Sequence, residues 1–215
     1  MQTKSQLLAI AITALVAAAL FIPAPPASAG PGHVNFTIGQ KMFSDDWKPI
    51  EKQTSFGAEG AFGPATWPVQ MATYLLRASN ETTTEEDFGA GGAGLTTVDG
   101  STTEFGFGLN KTLGTSKIRP YVGAGGVYVK TDISLLRSGT SWNASANGFG
   151  FWGGAGAFYR LGPSFNFGAG VRYSSASVDY SEFNGTTISY PATNVEAGGT
   201  AVHVLIGWSW PKMAK

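Results

Sequence analysis

Charged residues make up 13% of this 215-residue chain, against roughly 25% in ordinary soluble domains, and 30 residues are glycine. Lys plus Arg and Asp plus Glu balance at 14 each, which argues against a nucleic-acid partner. With no cysteine and only His33 and His203, disulfide frameworks, thiolate metal sites and cysteine nucleophiles are excluded together.

Residues 1–29 read as an export signal: Lys4 gives the basic start, residues 7–22 the apolar run, and Ala27, Ser28 and Ala29 a small-residue cleavage site. The run is shorter than the roughly 20 residues a membrane helix needs, and Pro23, Pro25 and Pro26 follow it at once. The expected division is therefore a signal peptide over 1–29 and one domain over 30–215. No other long apolar run occurs, so a mature chain in a membrane would have to cross it as strands.

Period-two alternation then recurs along the chain. Residues 33–43 put Val34, Phe36 and Ile38 on one face and Asn35, Thr37, Gly39 and Lys41 on the other. A charged loop over 44–53 leads to residues 54–63, where Phe56, Ala58 and Phe62 oppose Ser55, Gly57 and Glu59, with a tight turn after them. Residues 67–79 form the third strand, and the longest loop is expected over 80–96. The fourth strand, 97–113, sets Phe105, Phe107 and Leu109 against Glu104, Gly106 and Gly108, and a short turn leads to the fifth, from residue 118 to about 131. A loop over 137–147 precedes the clearest hairpin, residues 148–180, in which Phe149, Phe151, Phe167 and Val171 share a face opposite Trp152, Asn166 and Arg172. After a last long loop over 184–196, residues 197–210 alternate Val202, Val204, Ile206, Trp208 and Trp210 with Ala201, His203, Leu205 and Ser209.

These eight strands are joined by alternating long and short connections, and one face of each is apolar. That predicts an all-β, eight-stranded antiparallel up-and-down transmembrane barrel, with both mature termini at the periplasmic end. Trp67, Tyr159, Phe165, Trp208 and Trp210 gather toward the short turns, and Phe149 and Tyr173 toward the long loops, as two aromatic girdles.

The residues Arg119 to Gly125 (RPYVGAG), the FYRLG run ending at Gly162, the Gly170 to Ser174 segment (GVRYS) and the aromatic-ended last strand together resemble the small eight-stranded outer-membrane β-barrels of OmpA and OmpW type. The resemblance implies insertion in the bacterial outer membrane through the barrel-assembly machinery, contact with outer-membrane lipid and lipopolysaccharide, and extracellular loops whose ligand it does not specify. It implies little chemistry.

Eight strands enclose a space that side chains fill. The inward charges Lys41, Glu59, Glu104, Arg119, Arg160 and Arg172, with His203, are expected to pair across it, since an unpaired buried charge costs several kcal/mol. No catalytic residue, metal site or cofactor is expected. The favoured role is a non-enzymatic anchor or surface-interaction protein; porin-like passage of small or hydrophobic solutes is the alternative, and a lipid A modifying enzyme is the rival from another class. The enzyme would want a serine, a histidine and an acid together, whereas His203 lies between Val202 and Val204. A soluble lipocalin-like carrier would need a Lys- and Glu-rich outer face where this chain has glycine. Residues 89–94 match G-x-G-x-x-G but lack the strand-to-helix setting of a dinucleotide site, so they read as loop. Asp45, Asp46, Glu85, Glu86 and Asp87 read as solvated loop charge, with cation bridging to lipopolysaccharide as the alternative.

Overall fold

The computed structural model describes residues 31–44, 47–64, 66–87, 93–113, 117–137, 140–162, 164–183 and 186–210. The expected signal peptide, Asp45, Asp46, most of the glycine-rich 89–94 run and the tail after Trp210 lie outside them, as do the side chains of Glu85, Glu86 and Asp87.

The described residues form nine strands: β1 (Gly32–Met42), β2 (Lys52–Phe62), β3 (Gln70–Asp87), β4 (Ala93–Thr112), β5 (Ile118–Arg137), β6 (Thr140–Leu161), β7 (Phe165–Phe183), β8 (Thr186–Glu196) and β9 (Gly199–Trp210). Each of β1 to β7 pairs antiparallel with the next, β7 pairs with β9, and β9 pairs with β1, so eight strands close a cylinder. The ninth, β8, pairs only with the far half of β7, with two register irregularities, and stands above the cylinder.

The register fixes the shape. Stepping across hydrogen-bonded partners from Gly32 leads through Phe62, Met71, Leu109, Ala124, Gly153, Tyr173 and Thr200 back to Met42, ten residues further along β1. With eight strands, that stagger gives a strand tilt of about 41° and a backbone radius of about 8 Å. Each residue along a strand then climbs about 2.5 Å of the axis. In a cylinder of that width the inward side chains take up most of the interior.

The alternation read from the sequence matches the two faces. Phe149 and Phe151 are 79% and 77% exposed, and Ile38, Phe105, Phe107, Phe167, Val171, Val204, Ile206 and Trp208 are exposed beside them. Asn35, Lys41, Glu59, Glu104, Asn166 and Arg172 are buried. The exposed apolar belt runs from Tyr159 and Trp208 at the short-turn end to Phe149, ten residues above Tyr159 on β6, a height of about 25 Å. At the turn between β6 and β7, Gly162 takes φ 63°, a left-handed conformation that glycine adopts without strain.

The long connections differ from expectation. Most of residues 80–96 and 137–147 are strand, because β3–β4 and β5–β6 continue as paired hairpins well past the apolar belt. The expected loop over 184–196 is mostly β8. Beyond the belt both faces meet polar surroundings or each other, so no apolar stripe marks these strands in the sequence. Trp67 lies in the turn before β3 rather than within a strand, and is 52% exposed.

Candidate functional site

The inward face gathers polar groups from seven strands into one hydrogen-bonded column along the axis. At the short-turn end, Arg160 Nη2 donates to the Ser209 carbonyl at 3.4 Å. Ser209 Oγ donates to Asn166 Oδ1 at 2.8 Å, and Asn166 Nδ2 donates across the lumen to Asn35 Oδ1 at 3.1 Å. Asn35 Nδ2 in turn donates to Glu59 Oε1 at 3.2 Å. The other Glu59 oxygen accepts from Arg172 Nη2 at 2.6 Å, joining β2 to β7 through a pair that is almost wholly buried.

Above that pair, the Arg172 guanidinium lies 3.8 Å from the centre of the Tyr74 ring and 5.7 Å from that of Trp152. Tyr74 Oη donates to Glu104 Oε2 at 3.1 Å. Glu104 Oε1 accepts from Ser174 Oγ at 2.7 Å and from Lys41 Nζ at 2.5 Å, and Lys41 reaches on to the Ala197 carbonyl at 3.4 Å. Glycines make room for the large members: a Cβ on Gly106 would land inside the Tyr74 ring.

Of the seven inward groups named from the sequence, the structure joins Lys41 to Glu104 and Arg172 to Glu59 as direct ion pairs. Arg160 meets the column through the Ser209 carbonyl, and Arg119 lines a cavity at the short-turn mouth. His203 is buried against Gly170 on β7, and neither ring nitrogen has a hydrogen-bond partner among the described residues. His33 packs instead against the rings of Phe158 and Tyr121, at 5.2 and 6.3 Å. Both histidines line one small cavity with Glu59 and Tyr121, and among the described residues no serine hydroxyl engages either ring nitrogen of His203. Among the described residues, no cluster of His, Asp and Glu fits a metal ion.

A cap over the column escaped the sequence. Trp47 and Ile50, in the first long connection, are each only 3% exposed. Trp47 stacks on Phe43 with ring centres 4.7 Å apart and donates its indole N–H to the Glu196 carbonyl at 2.6 Å. Around them Leu76, Val129, Val178, Tyr180 and Ala197 form an apolar core inside the long-hairpin end of the cylinder. Gly100 stands opposite Ile50, where a larger side chain would collide with it. A tryptophan and an isoleucine in an otherwise charged segment were the available signal.

The outward girdle residues fall at the two edges of the apolar belt. Trp208 meets Phe165 and Phe36 edge-on, while Tyr128 and Phe149 pack together at the other edge with centres 5.0 Å apart. Tyr159 and Tyr173 are exposed, and Trp210 and Phe165 are half-buried.

A greasy outer belt around a polar, filled interior is the reverse of a soluble barrel. The model of the outer membrane protein beta-barrel domain matches residues 12–199. The chain belongs to that family. Family membership and the inverted faces agree on an eight-stranded barrel of the bacterial outer membrane. Solved structures with this fold include the attachment invasion locus protein Ail of Yersinia pestis in complex with the heparin analogue sucrose octasulfate, at TM-score 0.52 and 16% identity, covering 84% of this chain and 99% of that one. A major outer membrane protein of Thermus thermophilus is similar at TM-score 0.53 and 12% identity, covering 85% and 98%. Among curated proteins none matches the chain.

Proposed function

We propose that this protein is a non-conducting, non-enzymatic anchor that presents its long hairpins to the cell exterior. On this reading the leader ends at Ala29, the barrel-assembly machinery inserts the chain, and both mature termini face the periplasm. The observation that carries the proposal is the column: Arg172–Glu59 and Lys41–Glu104 bridge opposite walls at two heights, and Trp47 and Ile50 close the end above them. In planar bilayers the purified barrel should give no stepwise current. Reproducible unitary currents would replace the anchor by a conduit for small solutes.

The outer surface supports lipopolysaccharide as the lipid partner, because its chemistry changes in layers. The apolar row Leu75, Phe105, Tyr128 and Phe149 crosses four neighbouring strands. Two residues further out, the row Arg77, Thr103, Lys130 and Asn147 crosses the same strands, with Arg77 donating to Thr103 and Ser101. Beyond it come Asp132 with Ser145, Ser134 with Asn143, and Thr83 with Thr97, all hydrogen-bonded side chains of the outer face. Acyl chains, phosphates and sugars would meet apolar, basic and hydroxyl-rich surface in that order. Replacing both Arg77 and Lys130 by glutamine should weaken lipopolysaccharide binding about thirtyfold, since each cation near a charged surface contributes about 1 kcal/mol. Co-purification of labelled lipopolysaccharide with the two proteins measures this, and equal retention would remove the layered surface as a lipid site.

A further inference from the structure

Beside the Arg172–Glu59 pair the lumen holds a cavity of about 20 Å³, room for one water molecule. Asn110, Tyr121, Arg172 and His203 line it from β4, β5, β7 and β9. Asn110, Arg172 and His203 are 7%, 6% and 3% exposed, and each carries a polar atom with no hydrogen-bond partner among the described residues. These atoms are Asn110 Oδ1, Arg172 Nε and both ring nitrogens of His203. A buried polar group left unmatched costs about 1–3 kcal/mol, so four in one place call for a ligand.

Gly170 on β7 measures the gap. A Cβ there would fall 2.6 Å from Tyr121 Oη and 2.9 Å from His203 Nε2, so the hydroxyl and the imidazole stand within reach of one molecule hydrogen-bonded to both. The unmatched atoms are of both kinds: the guanidinium N–H donates, the amide oxygen accepts, and a neutral imidazole does one of each. An anion would answer the donors alone, and a metal cation the acceptors alone. Charge favours neither, because Glu59 and Arg172, which both line the cavity, already neutralise each other at 2.6 Å.

We propose that this cavity binds a single water molecule, with His203 Nε2 and Tyr121 Oη as its bridged partners and Asn110 and Arg172 completing its hydrogen bonds. Water donates twice and accepts twice, which is the mixture these side chains leave unmet. The bridge gives His203 a structural task. β9 closes the cylinder against β1, and on its inward face His203 lies between Ala201 and Leu205, which have no polar side-chain group. Through the water, His203 ties this closing strand to β5 across the lumen, as Asn166 ties β7 to β1. The site holds whether or not the barrel passes ions, so it stands apart from the anchor proposal.

The test is a crystal structure of the full barrel in detergent, at a resolution that shows ordered water, with a second crystal soaked in sodium bromide. The expected result is one water within hydrogen-bond distance of both His203 Nε2 and Tyr121 Oη, unchanged by bromide. Tyr121→Phe keeps the ring against His33 and Phe158 and removes the hydroxyl, so the water should be lost from that position. His203→Leu provides a second reading should the first variant fail to fold, with the same loss expected. A dry cavity in the parent protein, a His203 ring bonded directly to Tyr121 or Glu59, bromide or a metal ion in place of the water, or a water retained at that position in a folded variant would overturn the proposal.

Discussion

Replacing Glu104 by alanine is expected to destabilise the barrel by about 3–5 kcal/mol, because it leaves a buried ammonium without its counter-ion. Lys41 is 0% exposed and Glu104 is 1% exposed. The remaining neighbours of Lys41 Nζ, the Ala197 carbonyl at 3.4 Å and the Phe43 ring at 4.2 Å, replace little of a carboxylate at 2.5 Å. The substitution also strips the hydroxyls of Tyr74 and Ser174 of their shared acceptor. Denaturant unfolding in lipid, read by tryptophan fluorescence and by gel mobility of heated and unheated samples, gives the change. The double replacement Lys41→Met with Glu104→Leu should recover part of the loss, since an apolar pair no longer leaves a charge uncompensated. Recovery stays incomplete because each buried hydroxyl left without a partner costs about 1–3 kcal/mol. If Glu104→Ala unfolds at the parent's denaturant concentration, the buried pair is not what holds β1 to β4.

Such a column makes sense where the usual source of cohesion is missing. Acyl chains solvate Phe149 or Ile206 much as a protein core would, so in a membrane those residues add little to strand association. Water-filled space inside a cylinder of about 8 Å radius would leave the backbone to hold the shape by ladder hydrogen bonds alone. Cross-lumen bonds such as Asn166 to Asn35 and Arg172 to Glu59 tie strands that are not neighbours, β7 to β1 and β7 to β2. They favour one closed arrangement over slipped registers, because a shift of one residue would turn Glu59 or Arg172 outward into the apolar belt.

The faces of the strands were legible in the sequence because inside and outside differ so sharply: Phe151 and Trp152, or Val171 and Arg172, are adjacent in sequence yet meet opposite solvents. Which charge meets which was not legible. Pairing depends on the ten-residue stagger, a property of all eight strands together that no single segment encodes. Arg119 and Arg160 look like the other inward charges in sequence, but their position at the mouth separates them from Glu59 and Glu104. The paired hairpins beyond the belt were hidden for another reason. Around the cross-strand pairs of Thr83 with Thr97 and Ser134 with Asn143, many residues on both faces are small or polar, so period two carries little hydrophobic signal although the ladder continues unbroken. Trp47 was hidden by its charged neighbours, and only the folded chain shows that this connection turns inward to meet Glu196.

Trp47→Ala should separate stability from sealing. Removing a tryptophan that is 3% exposed costs about 3–5 kcal/mol through lost burial and the cavity left behind. The Glu196 carbonyl also loses its indole donor, and Phe43 loses its stacking partner. Yet the variant should pass no ions. Below the cap, Lys41, Glu104, Ser174 and Tyr74 are joined inside the lumen at one level, and Arg172, Glu59, Asn35 and Trp152 meet at another, which on the anchor proposal is enough to block it. Unfolding measurements and single-channel recordings on the same preparation therefore diverge: a lower unfolding midpoint beside a flat current trace. A current appearing in Trp47→Ala would mean that the cap alone blocks the lumen, that the column beneath it is permeable, and that the wild-type barrel is a gated conduit whose gate is the first connection.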